Sequence, residues 1–252
     1  MAKVGCMWAL PGLYCLFDSQ GNGVGVFQFE RVFDLLISLP CAYLIGAIPF
    51  SYIIGRMNGV DLLKVGSGNP GATNLSRNLG KKIGAFGLIL DLLKGVAPLL
   101  IARYYFWPEG NLPVIWAMCI GAAAVVGHCF SPFLLGKGGK GVATTAGVLI
   151  AYEPFLALVL LAFWGVMLRW IGSVGIASVV AALGGALLGA TLMMQAFSLD
   201  FLLVNCSSAE YQRYATDQRQ LGAALVLICL LIVIRHRQNI REYREARSGA
   251  TE

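Results

Sequence analysis

Long apolar runs, each near the length of a membrane span, alternate with short polar segments along this chain. A span needs about 20 apolar residues. The first clear run extends from Leu36 to Gly55 and stops at Arg56. A second, from Ile83 to Ala102, carries Asp91 and Lys94 inside it. A third runs from Leu112 to about Leu134. From Val142 to Leu168 the apolar sequence is broken at Glu153-Pro154, which predicts a short helix, a turn and then a full span. Two more follow, from Ser173 to Phe197 and from Leu221 to Ile234. The expected architecture is all-α and polytopic, with about seven membrane helices. The piece Val142–Tyr152 is too short to cross alone unless the bilayer thins or the helix sits within the bundle. No internal repeat is evident, which weakens an inverted-repeat transporter.

Composition agrees and narrows the class. The chain is 58% hydrophobic and 13% charged. A soluble domain carries roughly 25% charge, so a soluble enzyme and a disordered chain are both excluded. Glycine, at 31 of 252 residues, suits close helix packing in lipid and phosphate-cradling loops. The net charge of +6 would suggest nucleic acid in a soluble protein. Here cytoplasmic loop charge and anionic headgroups explain it, and no nucleic-acid partner is expected. The seven cysteines form no C-x-x-C pair and read as small apolar residues rather than a disulfide framework.

The scarce basic residues are sorted. Arg56, Lys64, Arg77, Lys81 and Lys82 share one connector, and Lys137 and Lys140 share another. Arg169 ends a span, and Arg235, Arg237, Arg241, Arg244 and Arg247 lie in the tail. With seven crossings, these 13 of the 19 Lys and Arg fall on one side of the membrane. The rule that cytoplasmic loops are positive then puts the N-terminus outside and the C-terminus in the cytoplasm. Residues 1–35 read as a peripheral, non-catalytic extension or an over-extended start, with an amphipathic lead-in near Phe27–Leu36. Residues 36–242 form the membrane-embedded unit, and 243–252 a cytoplasmic tail.

Two glycine-rich loops lie on that basic side. GSGNPGATN occupies residues 66–74, followed by Arg77 and Gly80-Lys81-Lys82. Its Ser, Thr and Asn side chains and freed N–H groups can make an anion nest, to which Arg77 adds a bidentate donor. GKGGKGVAT occupies residues 136–144 at the start of a helix, where unpaired N–H groups and the dipole favour anions. Two such loops, each with a cation, point to phosphate binding. The spacing Gly66-x-Gly68-x-x-Gly71 matches a dinucleotide fingerprint, but no βαβ pattern surrounds it. Neither a Walker A loop nor a G-x-S-x-G elbow is present, and His128 opens no His-x4-Asp motif, since Phe133 stands five residues on. Two histidines cannot build a multi-His metal site, and no metal or cofactor is expected. Asp91 and Lys94, three apart on one helix face, are either a buried structural pair or part of the site. His128 reads first as a satisfied structural residue, and His236, in a basic run, as a topology anchor or headgroup contact.

GSGNPGATN with its Arg and GKK, GHCFSPFLLGKGGKGVATTAG, and RHRQNI together resemble the bacterial PlsY-type glycerol-3-phosphate acyltransferases, over about residues 40–242. The resemblance implies an inner-membrane enzyme of seven helices. It implies acyl transfer from acyl phosphate to glycerol 3-phosphate, giving lysophosphatidic acid and phosphate at the first step of phospholipid synthesis. Carried over by motif, Ser67, Gly68, Asn69, Gly71, Thr73 and Asn74 would cradle the acyl phosphate. Arg77, Lys140, Ser178, His236 and Asn239 would contact glycerol 3-phosphate and the transition state, with Ser67 counted among the catalytic groups. Lys137, Gly138, Gly139 and Arg237 would assist binding. With no clear protein base, a substrate phosphate would take the proton. The site would face the cytoplasm, with membrane lipids around it and no obligate protein partner. The segment Arg241–Ser248 delays Gly249 and Glu252 relative to the family pattern. A transporter of an anionic solute is the alternative of another class. A CDP-alcohol phosphotransferase would need a run of metal-binding Asp that is absent here.

Overall fold

The computed structural model describes residues 6–8, 13–17, 23–107, 112–195, 203 and 211–248. Three short strands come first: β1 (Cys6–Trp8), β2 (Leu13–Phe17) and β3 (Gly23–Gln28), paired antiparallel in that order. From Phe29 onward the described elements are helical. They are α1 (Phe29–Ala47), α2 (Phe50–Met57), α3 (Ala72–Leu79), α4 (Lys81–Ile101) and α5 (Val114–Cys129). After these come α6 (Val142–Tyr152), α7 (Pro154–Ile171), α8 (Val174–Met194), α9 (Tyr211–Arg235) and α10 (Arg237–Ser248).

Among the described residues, six helical stretches are long and apolar enough to cross a membrane. They begin at Phe33, Lys81, Val114, Pro154, Val174 and Asp217, each near a start expected from hydropathy. The seventh, α6, is the short apolar helix of the sequence reading. It turns back at Glu153-Pro154, where Tyr152 donates its hydroxyl to the Leu112 carbonyl at 3.1 Å. The stretch expected as an amphipathic lead-in, Phe27–Leu36, spans the end of β3 and the start of α1.

The first span is broken at Ile48-Pro49, because proline supplies no N–H and disfavours helix in the residue before it. Two carbonyls lose their helical donors there, which is costly at membrane depth unless protein re-satisfies them. Ser131 Oγ donates to the Ala47 carbonyl at 2.6 Å, and Lys94 Nζ to the Ile48 carbonyl at 2.9 Å.

Glycine abundance is explained by helix crossings. A Cβ at Gly46 would strike the Ala124 backbone, and one at Gly127 the Tyr43 carbonyl, so α1 and α5 meet backbone to backbone. Gly95 and Gly147 do the same for α4 and α6, and Gly189 and Gly222 for α8 and α9. In lipid there is no hydrophobic force between helices, and such close contact replaces it. Ile120, Val125, Val148, Leu221 and Leu225 fill the core between these pairs.

Candidate active site

The connector between α2 and α3 folds around one amide. Asn74, 2% exposed, donates to the carbonyls of Leu62, Val65 and Asn69, each at 3.0 Å. Its Oδ1 accepts the Ser67 N–H and the Asn78 amide, each at 3.2 Å. Gly66 and Gly68 take left-handed φ values of 58° and 65°, and a Cβ at Gly66 would strike the Asn74 amide. The expected loop therefore ends at Gly71, and Thr73 and Asn74 lie in the first turn of α3. Asn74 is a pin for the loop, with its hydrogen bonds already used inside it. Asn74→Ala leaves three carbonyls without this donor. We expect it to cost about 2 kcal/mol of stability and to raise KM, read by thermal unfolding and initial rates.

The second loop leans on the end of α5. Gly139 N–H donates to the His128 carbonyl at 2.9 Å. A Cβ at Gly138 would strike the carbonyls of His128 and Cys129, and one at Gly139 the His128 ring. Arg235, at the end of α9, donates to the carbonyls of Gly139 and Gly138 at 3.2 and 2.9 Å, and its guanidinium covers the Phe130 ring. Gly138 and Gly139 thus serve close packing. They do not line the cavity described next, and neither do Gly68, Lys137 and Arg237; the last two are exposed.

A cavity of about 270 Å³ opens between the two loops and runs down among α4, α6, α7, α8 and α9. Its polar end receives Ser67, Asn69, Gly71, Thr73, Asn74 and Arg77 from the first loop and α3. Lys140 enters from the second loop, Ser178 from α8, and His236 and Asn239 from the end of α9 and from α10. All six residues expected to be catalytic therefore meet in one space. The other end is apolar, walled by Leu149, Leu160, Leu161, Trp164, Leu225 and Ile232.

Electrostatics set the state of the polar end. Lys140 Nζ donates to Asn239 Oδ1. Burial pushes the Lys140 pKa down to about 8; Glu242 opposes this, and Arg77 and Arg235 add to it. His236, 2% exposed, donates Nδ1–H to the Ile232 carbonyl at 2.8 Å, which leaves Nε2 with a free lone pair. Burial lowers its pKa to about 4, against the carbonyl bond, with Lys140 and Arg235 lowering it further. Ser178 donates to the Val174 carbonyl at 2.8 Å and accepts the Trp164 indole N–H at 3.1 Å.

Sequence reasoning left four wall residues with side-chain N or O atoms out or undecided: Asp91, His128, Thr145 and Trp164. Asp91 accepts from Lys94 at 2.9 Å and from Ser51 at 3.0 Å, and His128 Nδ1 stands 3.8 Å from it. Among the described residues, three buried side-chain polar atoms have no partner: Asn69 Oδ1, His128 Nδ1 and Thr145 Oγ1. All three belong to residues lining this cavity. Unpaired buried polar atoms are rare and costly, and their concentration here marks a binding site.

The model of the family described as glycerol-3-phosphate acyltransferase matches residues 36–246. The chain belongs to this family. It is 39% identical to a glycerol-3-phosphate acyltransferase of Geotalea daltonii over 204 residues, covering 81% of this chain and 90% of that protein. The corresponding protein of Aquifex aeolicus is 37% identical over 200 residues, covering 79% and 90%. Among solved structures, PlsY, an integral membrane glycerol 3-phosphate acyltransferase, matches in its glycerol 3-phosphate form with a TM-score of 0.67 and 35% identity. That match covers 84% of this chain and 93% of that one. Its lysophosphatidic acid form matches with a TM-score of 0.65 and 34% identity. The solute-transporter alternative gives way to acyl transfer.

Proposed function

We propose that this chain transfers an acyl group from acyl phosphate to glycerol 3-phosphate, at the cytoplasmic face of a bacterial inner membrane. The observation that carries this reading is the shape and polarity of the cavity. Two cations, Arg77 and Lys140, belong to its polar end, and the same space continues into an apolar slot. That lining suits one ligand that carries both phosphate and chain, and another that carries phosphate alone. The one-sided distribution of Lys and Arg supports the cytoplasmic placement.

In this reading the loops hold both phosphates, and the acyl chain lies in the slot against Leu160 and Leu225. The hydroxyl oxygen of glycerol 3-phosphate attacks the acyl carbon. A C–O ester bond forms, and the C–O bond to phosphate breaks. His236 is neutral at pH 7 and can accept a hydrogen bond at Nε2, but a pKa near 4 makes it a weak base. A phosphate oxygen, with a second pKa of about 6, is the better acceptor for the proton. The products are lysophosphatidic acid and inorganic phosphate. Release of phosphate from synthetic acyl phosphate that depends on glycerol 3-phosphate tests the reading. Release in neither condition rejects it.

The pH profile follows from Lys140. Its cationic form predominates below pH about 8 and is lost above it. We expect kcat/KM for glycerol 3-phosphate to fall as pH rises through that value. Lys140→Arg moves the falling limb upward, because guanidinium stays charged.

A further inference from the structure

Thr145 is the fourth residue of α6, one turn in from the second loop. The α6 residues that line the cavity after Gly141 are Val142, Ala143, Thr145, Ala146 and Leu149. Thr145 is the one hydroxyl among them. It stands where the polar end, marked by Lys140 and Gly141, gives way to the apolar slot.

A helical threonine ordinarily returns its hydroxyl to a carbonyl three or four residues earlier. Thr145 does not. The Gly141 carbonyl takes the Thr145 backbone N–H at 2.8 Å, and the side-chain Oγ1 has no partner. The residue is 6% exposed, and Oγ1 itself is buried. The neighbouring Thr144 differs: its hydroxyl donates to the Asp91 carbonyl at 3.0 Å. A buried hydroxyl without a partner is a cost that a valine of the same shape would avoid.

We propose that Thr145 is a catalytic residue that donates its hydroxyl to the acyl carbonyl oxygen of the donor substrate. The inference rests on the acyl-phosphate reading above. The carbonyl is the atom group that joins a phosphate head to an apolar chain, and Thr145 occupies the matching level of the cavity. A turn about χ1 exchanges methyl and hydroxyl, and threonine in a helix uses two such rotamers. When the hydroxyl of glycerol 3-phosphate adds to the acyl carbon, negative charge moves onto the carbonyl oxygen. The Thr145 O–H shortens its hydrogen bond to that oxygen. Its proton is donated and not transferred, and it relaxes as the bond to phosphate breaks.

The test pairs kinetics with stability. Thr145→Val keeps the shape and removes the hydroxyl, and Thr145→Ser keeps the hydroxyl. Thr145→Val is expected to lower kcat about a hundredfold, as loss of one oxyanion donor does, with KM for glycerol 3-phosphate little changed. Thermal unfolding of the ligand-free variant should be unchanged or higher, because an unpaired polar atom is gone. Thr145→Ser should stay close to wild type in kcat. Retained kcat in Thr145→Val overturns the proposal, as does a rise confined to KM for the acyl donor. A lowered melting temperature also overturns it, because it would mean that the hydroxyl is bonded within the fold. Wild-type turnover of acyl phosphate is measured alongside. Its absence would reject the donor assignment, and the proposal with it, whereas its presence with an active Thr145→Val rejects Thr145 alone.

Discussion

Lys140→Ala is expected to lower kcat/KM for glycerol 3-phosphate by about a thousandfold, the upper range for loss of one preorganised electrostatic group. Lys140 is the cation of the second loop at the polar end, and its burial makes its charge costly and therefore effective. The alanine variant should fold, because the loop is held by Arg235 and by the Gly139 bond to α5, neither of which uses this side chain. Thermal unfolding near the wild-type value would separate lost chemistry from lost structure. Arg77→Ala should fall by a similar factor, and the double variant by less than the product, because both cations act on the same phosphate-bearing substrates. Full activity in either single variant would refute the site. Asn239→Ala, which removes the acceptor for Lys140 Nζ and one polar wall group but leaves both cations, should cost less than loss of either cation.

The fold was legible because membrane spans are written in single residues. Hydropathy alone places every span start within a few residues, and it isolates α6 as short because Glu153-Pro154 cannot continue a helix. The loops were legible as polar islands in an apolar chain, and so were the cations within them. What periodicity could not carry was the use of each side chain. Asn74 and Asn69 look alike in GSGNPGATN, yet Asn74 spends its amide on three loop carbonyls while Asn69 keeps a buried oxygen without a partner. Lys137 and Lys140 look alike in GKGGKG, yet one is exposed and the other lines the cavity. Thr144 and Thr145 are adjacent and identical, and helical geometry sends one to Asp91 and the other to the cavity wall. Arg235 was legible only as a topology charge, because its target carbonyls lie nearly a hundred residues away. Residues 249–252, including Glu252, lie outside the described residues.

Lys94→Ala is expected to be the most destabilising single change in the membrane body, by about 3–5 kcal/mol, the usual cost of stripping one partner from a buried ion pair. Domains commonly have only about 5–15 kcal/mol in total, so this variant should melt far below wild type or fail to accumulate. Two losses coincide. Asp91, 3% exposed, keeps only Ser51 as a side-chain donor in bonding distance, and its charge is left uncompensated. The Ile48 carbonyl at the proline break in the first span also loses one of its two donors, keeping the Phe50 N–H at 3.0 Å. Asp91→Asn should be milder, because Lys94 can still hold that carbonyl. Combining Asp91→Asn with Lys94→Met removes both charges and should recover part of the stability lost in Lys94→Ala, while the Ile48 carbonyl stays without its lysine donor. Thermal unfolding of the purified proteins in detergent ranks the three. If Lys94→Ala were no worse than Asp91→Asn, the bond to Ile48 would be dispensable and the pair would act through charge alone. If the ranking holds, the two charges serve first to brace an interrupted helix at membrane depth, and Asp91 reaches the cavity wall as a consequence of that bracing.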